Sequence, residues 1–483
     1  MPVRQLPPEV LRMIFSYATS DATGNADIIS ISHVCSYWRA CSLQAPALWA
    51  HILLNHPAGI KVFLERSRPM PLRVAYKASQ KPVIATLRLI AAEAHRLRSL
   101  NIYVPEETGL DSILNRIRFA APMLEELVIK HQEPLRPPKG PEAFPRPQES
   151  SGVPSLRTLT LKSTPLPYIL SGPSSLVSLN IFGMVPFLSD LFRLLANSPK
   201  LESVKICGTI TLEGVDVARH VDLPSLKNLH IEAFPPNGIA HILSRLTMPT
   251  TVSISIRADM DAEHTIHDVF PIGSSDGPPN PCGLGCFSSL RRMVLSWSTL
   301  YGLELRAYRS TDELHAPALR YKVGYPAIQP GHRFLADWPF DASQVDTLVL
   351  CGDLFLGRTY SEHAEVESHL WMEMFQGLPE LKTLRVMSLL ESRAYDLLEP
   401  LATSTLSDSL CPKLETLELF DIVPAGKEFT ERLYNIARYR GAQSSGGTGL
   451  LRTVELFNAG DLKGFMAEAP RLPDGYEVEI LQE

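Results

Sequence analysis

The chain has 483 residues, of which 45% are hydrophobic, and 46 Lys and Arg oppose 52 Asp and Glu to give a formal net charge of -6. This length exceeds one ordinary core and predicts several domains or a repeat architecture, while the composition argues against disorder and against a basic surface for nucleic acid or anionic membranes. Seven scattered cysteines and the lack of an apolar run near the roughly 20 residues of a membrane span predict a cytoplasmic and/or nuclear protein.

The N-terminal segment holds three apolar blocks in a fixed order: LPPEVLRMIFSY, DIISISHVCSYWRAC and APALWAHI. In the first block Pro8 suits an early helical position and Glu9 complements the positive end of a helix. The apolar residues that follow in each block recur at helical spacing. Three short helices within about 45 residues bury too little surface for independent stability, so we expect their remaining apolar surface to meet a partner or the rest of the chain.

This order of apolar anchors resembles the F-box, the adaptor-binding module of cullin-RING ubiquitin ligases. The resemblance covers residues 1–55, and a longer polar insert from Thr19 to Asn25 departs from the usual spacing. It implies that this module binds a Skp-type adaptor and, through it, a cullin-RING ligase. The alternative is an ordinary helical subdomain that packs onto the neighbouring repeats. The positions that match those at which F-boxes meet the adaptor are Leu6, Pro7, Val10, Leu11, Ile14, Phe15, Val34, Cys35 and Trp38.

We predict that residues 56–96 connect the helical module to the repeats. The part KVFLERSRPMPLRVAY, residues 61–76, predicts a helix, a proline break and a strand that forms a first, imperfect repeat. Such a segment would hold the helical module and the repeats rigidly together.

From residue 97 onward one short phrase recurs: a leucine, two variable residues, an apolar residue, one variable residue and another apolar residue. Each phrase predicts a short strand whose fourth and sixth residues face the core. A proline precedes many of the phrases and would end the previous helix there. The phrases begin at Leu97, Leu124, Leu156, Leu176, Leu201, Leu226, Leu290, Leu381, Leu414 and Leu451, with weaker copies at Thr251 and Val345.

Apolar residues at helical spacing between the phrases predict intervening helices, for example around Leu110–Ile117, Phe187–Leu195, Ile239–Leu246 and Phe429–Ile436. A strand and a helix of this size cannot close a core alone, but stacked copies can. We therefore predict an α/β fold: a short N-terminal three-helix F-box followed, over residues 97–470, by an irregular leucine-rich-repeat solenoid with a parallel concave sheet and convex helices. Mobile loops are expected at 133–153, 271–287 and 443–449.

The combination of an N-terminal F-box, degenerate repeats and the phrase FLERSRPMPLRV resembles the large F-box families of mushroom-forming (basidiomycete) fungi. That resemblance, like the one to leucine-rich repeats, implies a protein-binding role for the repeat array. From the charge balance and the lack of a long apolar run, we expect neither nucleic acid nor a membrane as a partner.

The third and fifth residues of each phrase are expected to point out of the sheet, away from the core. Most are small and polar, which also suits exposed strand positions without any binding role. In the middle of this surface Lys205, His230, Arg292 and Arg385 are the candidate substrate-binding residues. Arginines are isolated along the sequence there, which favours a neutral or mixed-charge protein epitope over a strongly phosphorylated one.

Short strings that imitate catalytic or metal-binding motifs each lack something that the motif needs. Ser275 sits in a glycine-any-serine-any-glycine string, but Pro278 and Pro279 follow where a helix would have to begin. Gly352–Thr359 has phosphate-loop spacing with Arg358 in place of the lysine. Cys282 and Cys286 lack a second ligand pair for zinc. We therefore predict no catalytic residue, cofactor or metal, and a non-catalytic subunit of a ubiquitin ligase. The alternatives are a repeat scaffold without a link to ubiquitin and, more remotely, a hydrolase using Ser275.

Overall fold

The computed structural model forms two compact units, residues 1–226 and 227–483. Within the part of the chain that it describes, no helix is long and apolar enough to cross a membrane. The structure describes residues 6–19, 24–53, 57–77, 83–104, 120–131, 153–164, 174–183, 188–210, 220–234, 236–258, 266–270, 289–298, 302–310, 317, 319–323, 342–352, 368–387, 397–402, 410–420, 433, 435–436, 451, 453–457 and 477–481.

Three helices and a 3-10 turn open the first unit, as the apolar blocks predict. The first helix begins at Pro8, directly after Pro7, where a missing backbone N–H costs nothing, and Glu9 lies in its first turn. Cys35 separates the second and third helices, and its Sγ accepts a hydrogen bond from the Trp38 N–H at 3.5 Å as an N-cap. The elements are α1 Pro8–Ala18, α2 Gly24–Val34, α3 Ser36–Leu43 and the 3-10 turn Pro46–Trp49.

Seven strands of the first unit pair in chain order, each parallel to the next. They are β1 His51–Leu53, β2 Leu72–Lys77, β3 Leu97–Val104, β4 Glu126–His131, β5 Thr158–Lys162, β6 Ser178–Phe182 and β7 Ser203–Thr209. The same unit contains α4 Pro57–Arg66, α5 Val83–Ala92, the 3-10 turn Ala94–Arg96, α6 Leu188–Ala196 and the two-residue strand β8 Val221–Asp222.

The second unit holds ten paired strands in the order β9-β11-β14-β13-β12-β15-β16-β17-β18-β19. Their bounds are β9 Asn228–Phe234, β11 Ser253–Ala258, β12 Arg292–Ser298, β13 Gly302–Tyr308, β14 Leu319–Val323, β15 Thr347–Gly352, β16 Thr383–Met387, β17 Thr416–Phe420, β18 Thr453–Phe457 and β19 Glu477–Leu481. The unit also contains α7 Pro236–Leu243, β10 Leu246–Thr247, the 3-10 turn Ile266–Asp268 and α8 Ser368–Gln376.

Every recurring phrase of the sequence lies on a strand, which confirms the strand predictions. The fourth and sixth residues face inward: Leu159 and Leu161 are buried in β5, and Leu417 and Leu419 are buried in β17. Alternate residues along the same strands are half-buried, because successive side chains of a strand point to opposite faces. The helices predicted near 187–195 and 239–246 are present as α6 and α7, but α7 ends at Leu243 and Leu246 begins strand β10 instead.

The prediction of a wholly parallel sheet is wrong in the second unit. Strand β13 runs antiparallel to both of its neighbours, β12 and β14. Only residues 299–301 separate β12 from β13, whereas a parallel crossover needs a dozen residues or more, so the chain can only return antiparallel. The remaining described pairings of this unit are parallel. The loops predicted at 133–153, 271–287 and 443–449 and the helix predicted near 110–117 lie almost wholly outside the described residues.

Candidate functional site

Helix α1 carries apolar side chains on two of its sides. Leu11 and Phe15 point inward and are 1% and 0% exposed. A second stripe, spaced as i, i+3, i+4 and i+7, remains open to solvent and consists of Val10, Met13, Ile14 and Tyr17, with exposed fractions of 39%, 61%, 46% and 78%. A helix of a stable monomer normally covers such a stripe, so this one is available to another molecule.

Helices α2 and α3 add further exposed apolar side chains to the module. Ile29 and Val34 lie on α2, and Leu43 lies at the end of α3. Together with the stripe on α1 they form what we call the exposed apolar set: Val10, Met13, Ile14, Tyr17, Ile29, Val34 and Leu43. Seven exposed apolar side chains lie on three packed helices. Such a concentration is typical of a surface that binds a partner.

The nine predicted adaptor-binding residues divide between surface and core. Pro7, Val10, Ile14 and Val34 are exposed, whereas Leu6, Cys35 and Trp38 are half-buried. Leu11 and Phe15 are core residues, so they support the surface from beneath rather than form part of it. The sequence interpretation missed Met13, Tyr17, Ile29 and Leu43, although the regular spacing that begins at Val10 could have identified two of them.

Contacts between buried and half-buried residues hold the three helices of the module together. The rings of Phe15 and Trp38 lie 5.0 Å apart, which packs α1 against α3. Tyr37 Oη donates a hydrogen bond to the Leu6 carbonyl oxygen at 2.8 Å. The hydrophobic core is therefore complete with its outer apolar side chains still uncovered.

Other residues of the module join it to the sheet of the first unit. Trp49 is fully buried, its ring lies 5.0 Å from that of Phe63 on α4, and the Arg66 guanidinium lies 4.4 Å from its centroid. Its Nε1 donates to the Ser42 carbonyl oxygen at 2.8 Å. The Asn25 side chain on α2 bonds both backbone groups of Leu53 in β1, at 3.0 and 3.1 Å. Since β1 pairs with β2, the module and the sheet form one continuous structure.

His51 at this junction gives the first unit a specific pH dependence. Burial and, secondarily, the neighbouring Arg73 lower the pKa of His51 from 6.5, against a smaller opposing effect of the Thr19 backbone. The unfolded chain therefore binds more protons, and the free energy of unfolding decreases as the pH falls below about 6.5 until the folded-state pKa is passed. We expect His51→Gln to lose less thermal stability than the wild type between pH 7.5 and pH 5.

Thermal unfolding of both proteins across this pH range measures the difference. His33→Gln is the matched control, because His33 is exposed at the end of α2. Parallel stability curves for the wild type and His51→Gln would contradict the assignment.

The four candidate substrate-binding residues lie in different surroundings. Lys205, in the first unit, places its Nζ 5.4 Å from the ring centroid of Phe182. In the second unit His230 Nδ1 lies 3.0 Å from Ser255 Oγ, and Arg385 forms an ion pair with Glu418. Arg292 is only 8% exposed and lies over the ring of Tyr308, so it has little surface to offer a partner. Arg292 and Arg385 both act electrostatically on the Cys351 thiol, which brings these two into one neighbourhood.

The motifs that the sequence analysis set aside remain without structural support. Ser275, Cys282 and Cys286 lie outside the described residues, as does the Gly352–Thr359 string apart from Gly352 itself.

Comparison with known families identifies one matching segment. Residues 3–55 match the model of the F-box-like family. This segment contains α1, α2, α3 and β1, and hence the whole exposed apolar set. No curated protein matches the chain.

Proposed function

We propose that this chain is the substrate-recognition subunit of a Skp-cullin-RING ubiquitin ligase. The observation that carries the proposal is the exposed apolar set on helices that match the F-box-like family. F-box domains bind Skp-type adaptors, and a face of this composition, with a complete core beneath it, suits an obligate partner better than water.

Within the module we assign two roles to the predicted adaptor-binding residues. Val10, Ile14 and Val34 meet the adaptor directly, and the unpredicted Met13 and Tyr17 extend the same stripe. Leu11 and Phe15 hold the helices at the spacing that the adaptor recognises. The adaptor connects the chain to a cullin and its RING protein.

The strand-rich remainder binds a protein substrate through the side chains that point away from the core. The catalytic contribution is positional: holding the acceptor lysine of the substrate near the donor ubiquitin converts a bimolecular encounter into an effectively unimolecular one. Bond formation belongs to other subunits, so the chain itself is a non-catalytic adaptor. The continuous structure from α2 through β1 to β2 joins the adaptor-binding helices firmly to the sheet of the first unit.

Co-expression of the full chain with a Skp-type adaptor tests the proposal. We expect one stable complex of one chain with one adaptor, measured by size-exclusion chromatography with light scattering. The purified complex should then bind a cullin, whereas the chain without its adaptor should not. Separate elution of a folded chain and a folded adaptor would refute the proposal and favour a repeat scaffold with no link to ubiquitin.

A further inference from the structure

Strands β13 and β14 gather cations that are distant in the sequence. Arg306 lies opposite Arg320 in the antiparallel pairing, and Lys322 lies opposite both Glu304 on β13 and Arg257 on β11. Residues opposite one another in a sheet point to the same face, and adjacent strands lie about 4.8 Å apart. Four basic side chains therefore share one face of three neighbouring strands. We call Arg257, Arg306, Arg320 and Lys322 the basic cluster.

One carboxylate lies beneath three of these cations. Glu304 accepts from Arg306 and from Lys322 at 3.1 Å each, and from Arg320. Burial alone would raise the pKa of Glu304, but the hydrogen bonds from Arg320 and Lys322 and the charge of Arg306 outweigh it and lower the pKa. Three cations sharing one ionised carboxylate leave a formal surplus of two positive charges at this point.

The surplus charge is directed towards solvent. The Glu304 side chain is 15% exposed, whereas those of Arg306, Arg320 and Lys322 are 40%, 45% and 35% exposed. Arg257 is 51% exposed and forms a longer contact with Glu232, at 3.3 Å. Like charges directly opposite on adjacent strands destabilise a sheet, and the single Glu304 carboxylate offsets the repulsion between Arg306 and Arg320 only in part, so an additional anion from outside would stabilise this pairing.

Two further arginines, Arg292 on β12 and Arg385 on β16, lie on the same sheet. Burial raises the pKa of the Cys351 thiol, while Arg306, Arg385 and Arg292 each lower it, so these three arginines surround Cys351 within electrostatic reach. Arg385 remains 31% exposed while paired with Glu418. Basic side chains therefore occur on this sheet from β11 as far as β16, although Arg385 is paired and Arg292 is almost buried.

We propose that the basic cluster is the docking site for an acidic segment of the protein substrate, recognised through its aspartate and glutamate carboxylates. The cluster already binds one carboxylate of the chain itself, that of Glu304, through guanidinium and ammonium donors. The same donors suit the carboxylates of another protein. Arg320 and Lys322, two residues apart on one strand, are spaced to meet alternate side chains of an extended peptide. The inference rests on the proposed function only in calling the ligand a ligase substrate.

Fluorescence anisotropy with the full chain tests the proposal. The probe is a labelled peptide of alternating glutamate and glycine, and its matched control has glutamine in place of each glutamate. We expect the glutamate peptide to bind at low salt, to weaken steeply towards 0.5 M salt as screening increases, and to bind at least about tenfold more tightly than the glutamine peptide. Equal binding of the two peptides overturns the proposal.

Three variants locate the site. The double variant Arg306→Gln/Arg320→Gln should lower the affinity at least about tenfold. Glu304→Gln should raise the affinity several-fold, because it removes the one carboxylate among the described residues that the three cations share; a merely structural cluster would not give this opposite sign. Arg98→Gln, half-exposed in the first unit, is the control and should leave binding unchanged. Thermal unfolding of each variant shows that it is folded.

Two further outcomes separate this inference from its premise. If a peptide with phosphoserine in place of glutamate binds while the glutamate peptide does not, the carboxylate assignment is wrong. If the glutamate peptide binds through the basic cluster but the chain captures no Skp-type adaptor, the docking site stands and the ubiquitin-ligase proposal fails.

Discussion

Val34→Asp is expected to reduce the affinity of the chain for a Skp-type adaptor by at least about 30-fold, and Ile14→Asp by a similar factor. Both side chains are largely exposed, at 60% and 46%, so the folded chain tolerates the charge. On binding, the carboxylate would be transferred from water into an apolar interface without a partner, and residues at interface centres commonly contribute 2 kcal/mol or more, roughly a factor of 30. Surface plasmon resonance with immobilised adaptor measures the change.

Met123→Asp provides the matched control for these two variants. Met123 is also a large apolar side chain of the first unit, 44% exposed, but it lies outside the helical module. We expect Met123→Asp to bind the adaptor as the wild type does. Equal losses in all three variants, or no loss in Val34→Asp, would show that the exposed apolar set is not the adaptor-binding surface.

Variants of the buried anchors are less informative about binding. Leu11 and Phe15 are almost completely enclosed, and truncation of such core side chains typically costs about 3–5 kcal/mol. Loss of adaptor binding in Phe15→Ala could therefore result either from unfolding of α1 or from a lost contact with the adaptor. This is why the exposed residues are the better test of the proposed function.

The strands could be predicted from the sequence because each one repeats a local signal. Alternation of apolar and polar residues has a period of two, and that period fixes which side chains are buried, as in Leu159 and Leu161. Strand direction has no comparable local signal. Leu303, Leu305 and Ala307 on β13 alternate equally well, but the strand is reversed because a three-residue connection allows no crossover.

The site could be predicted only in part, because it too depends on contacts between residues that are distant in the sequence. Helix α1 has apolar residues on two sides, and only the packing of α2 and α3 decides that Leu11 and Phe15 lie inside while Met13 and Tyr17 remain outside. The arginines of the second unit are isolated along the sequence, which favoured a neutral epitope. The reversed strand places Arg306 opposite Arg320, a juxtaposition that depends on register across strands and is invisible to a search for repeats.

Loss of Arg96 should strongly destabilise the connection between α4 and the strands of the first sheet. Its side chain is buried, and its guanidinium donates to the Leu64 carbonyl oxygen at 2.8 Å, to the Met70 carbonyl oxygen at 3.0 Å and to Ser67 Oγ at 3.1 Å. A fourth hydrogen bond, with an ion pair at 2.9 Å, joins it to Glu93. One side chain therefore ties the end of α4 to the start of β2 and β3.

Arg96→Ala should lower the free energy of unfolding of the first unit by about 3–5 kcal/mol, because the Leu64 and Met70 carbonyl oxygens and Ser67 Oγ lose the guanidinium that donates to them. Glu93 keeps its ion pair with Arg68 in this variant. For a unit of this size, the lower free energy of unfolding corresponds to a fall of roughly 6–20 °C in the unfolding midpoint. Arg98→Ala is the control two residues away: its ion pair with Glu125 is about half-exposed on both sides, and such pairs contribute about 1 kcal/mol or less. Thermal unfolding, with hydrogen exchange of the β2 and β3 amides, measures both variants. Equal losses from the two would mean that burial of the Arg96 network contributes nothing beyond a surface ion pair, and that the connection is held by Trp49 and the β1–β2 pairing instead.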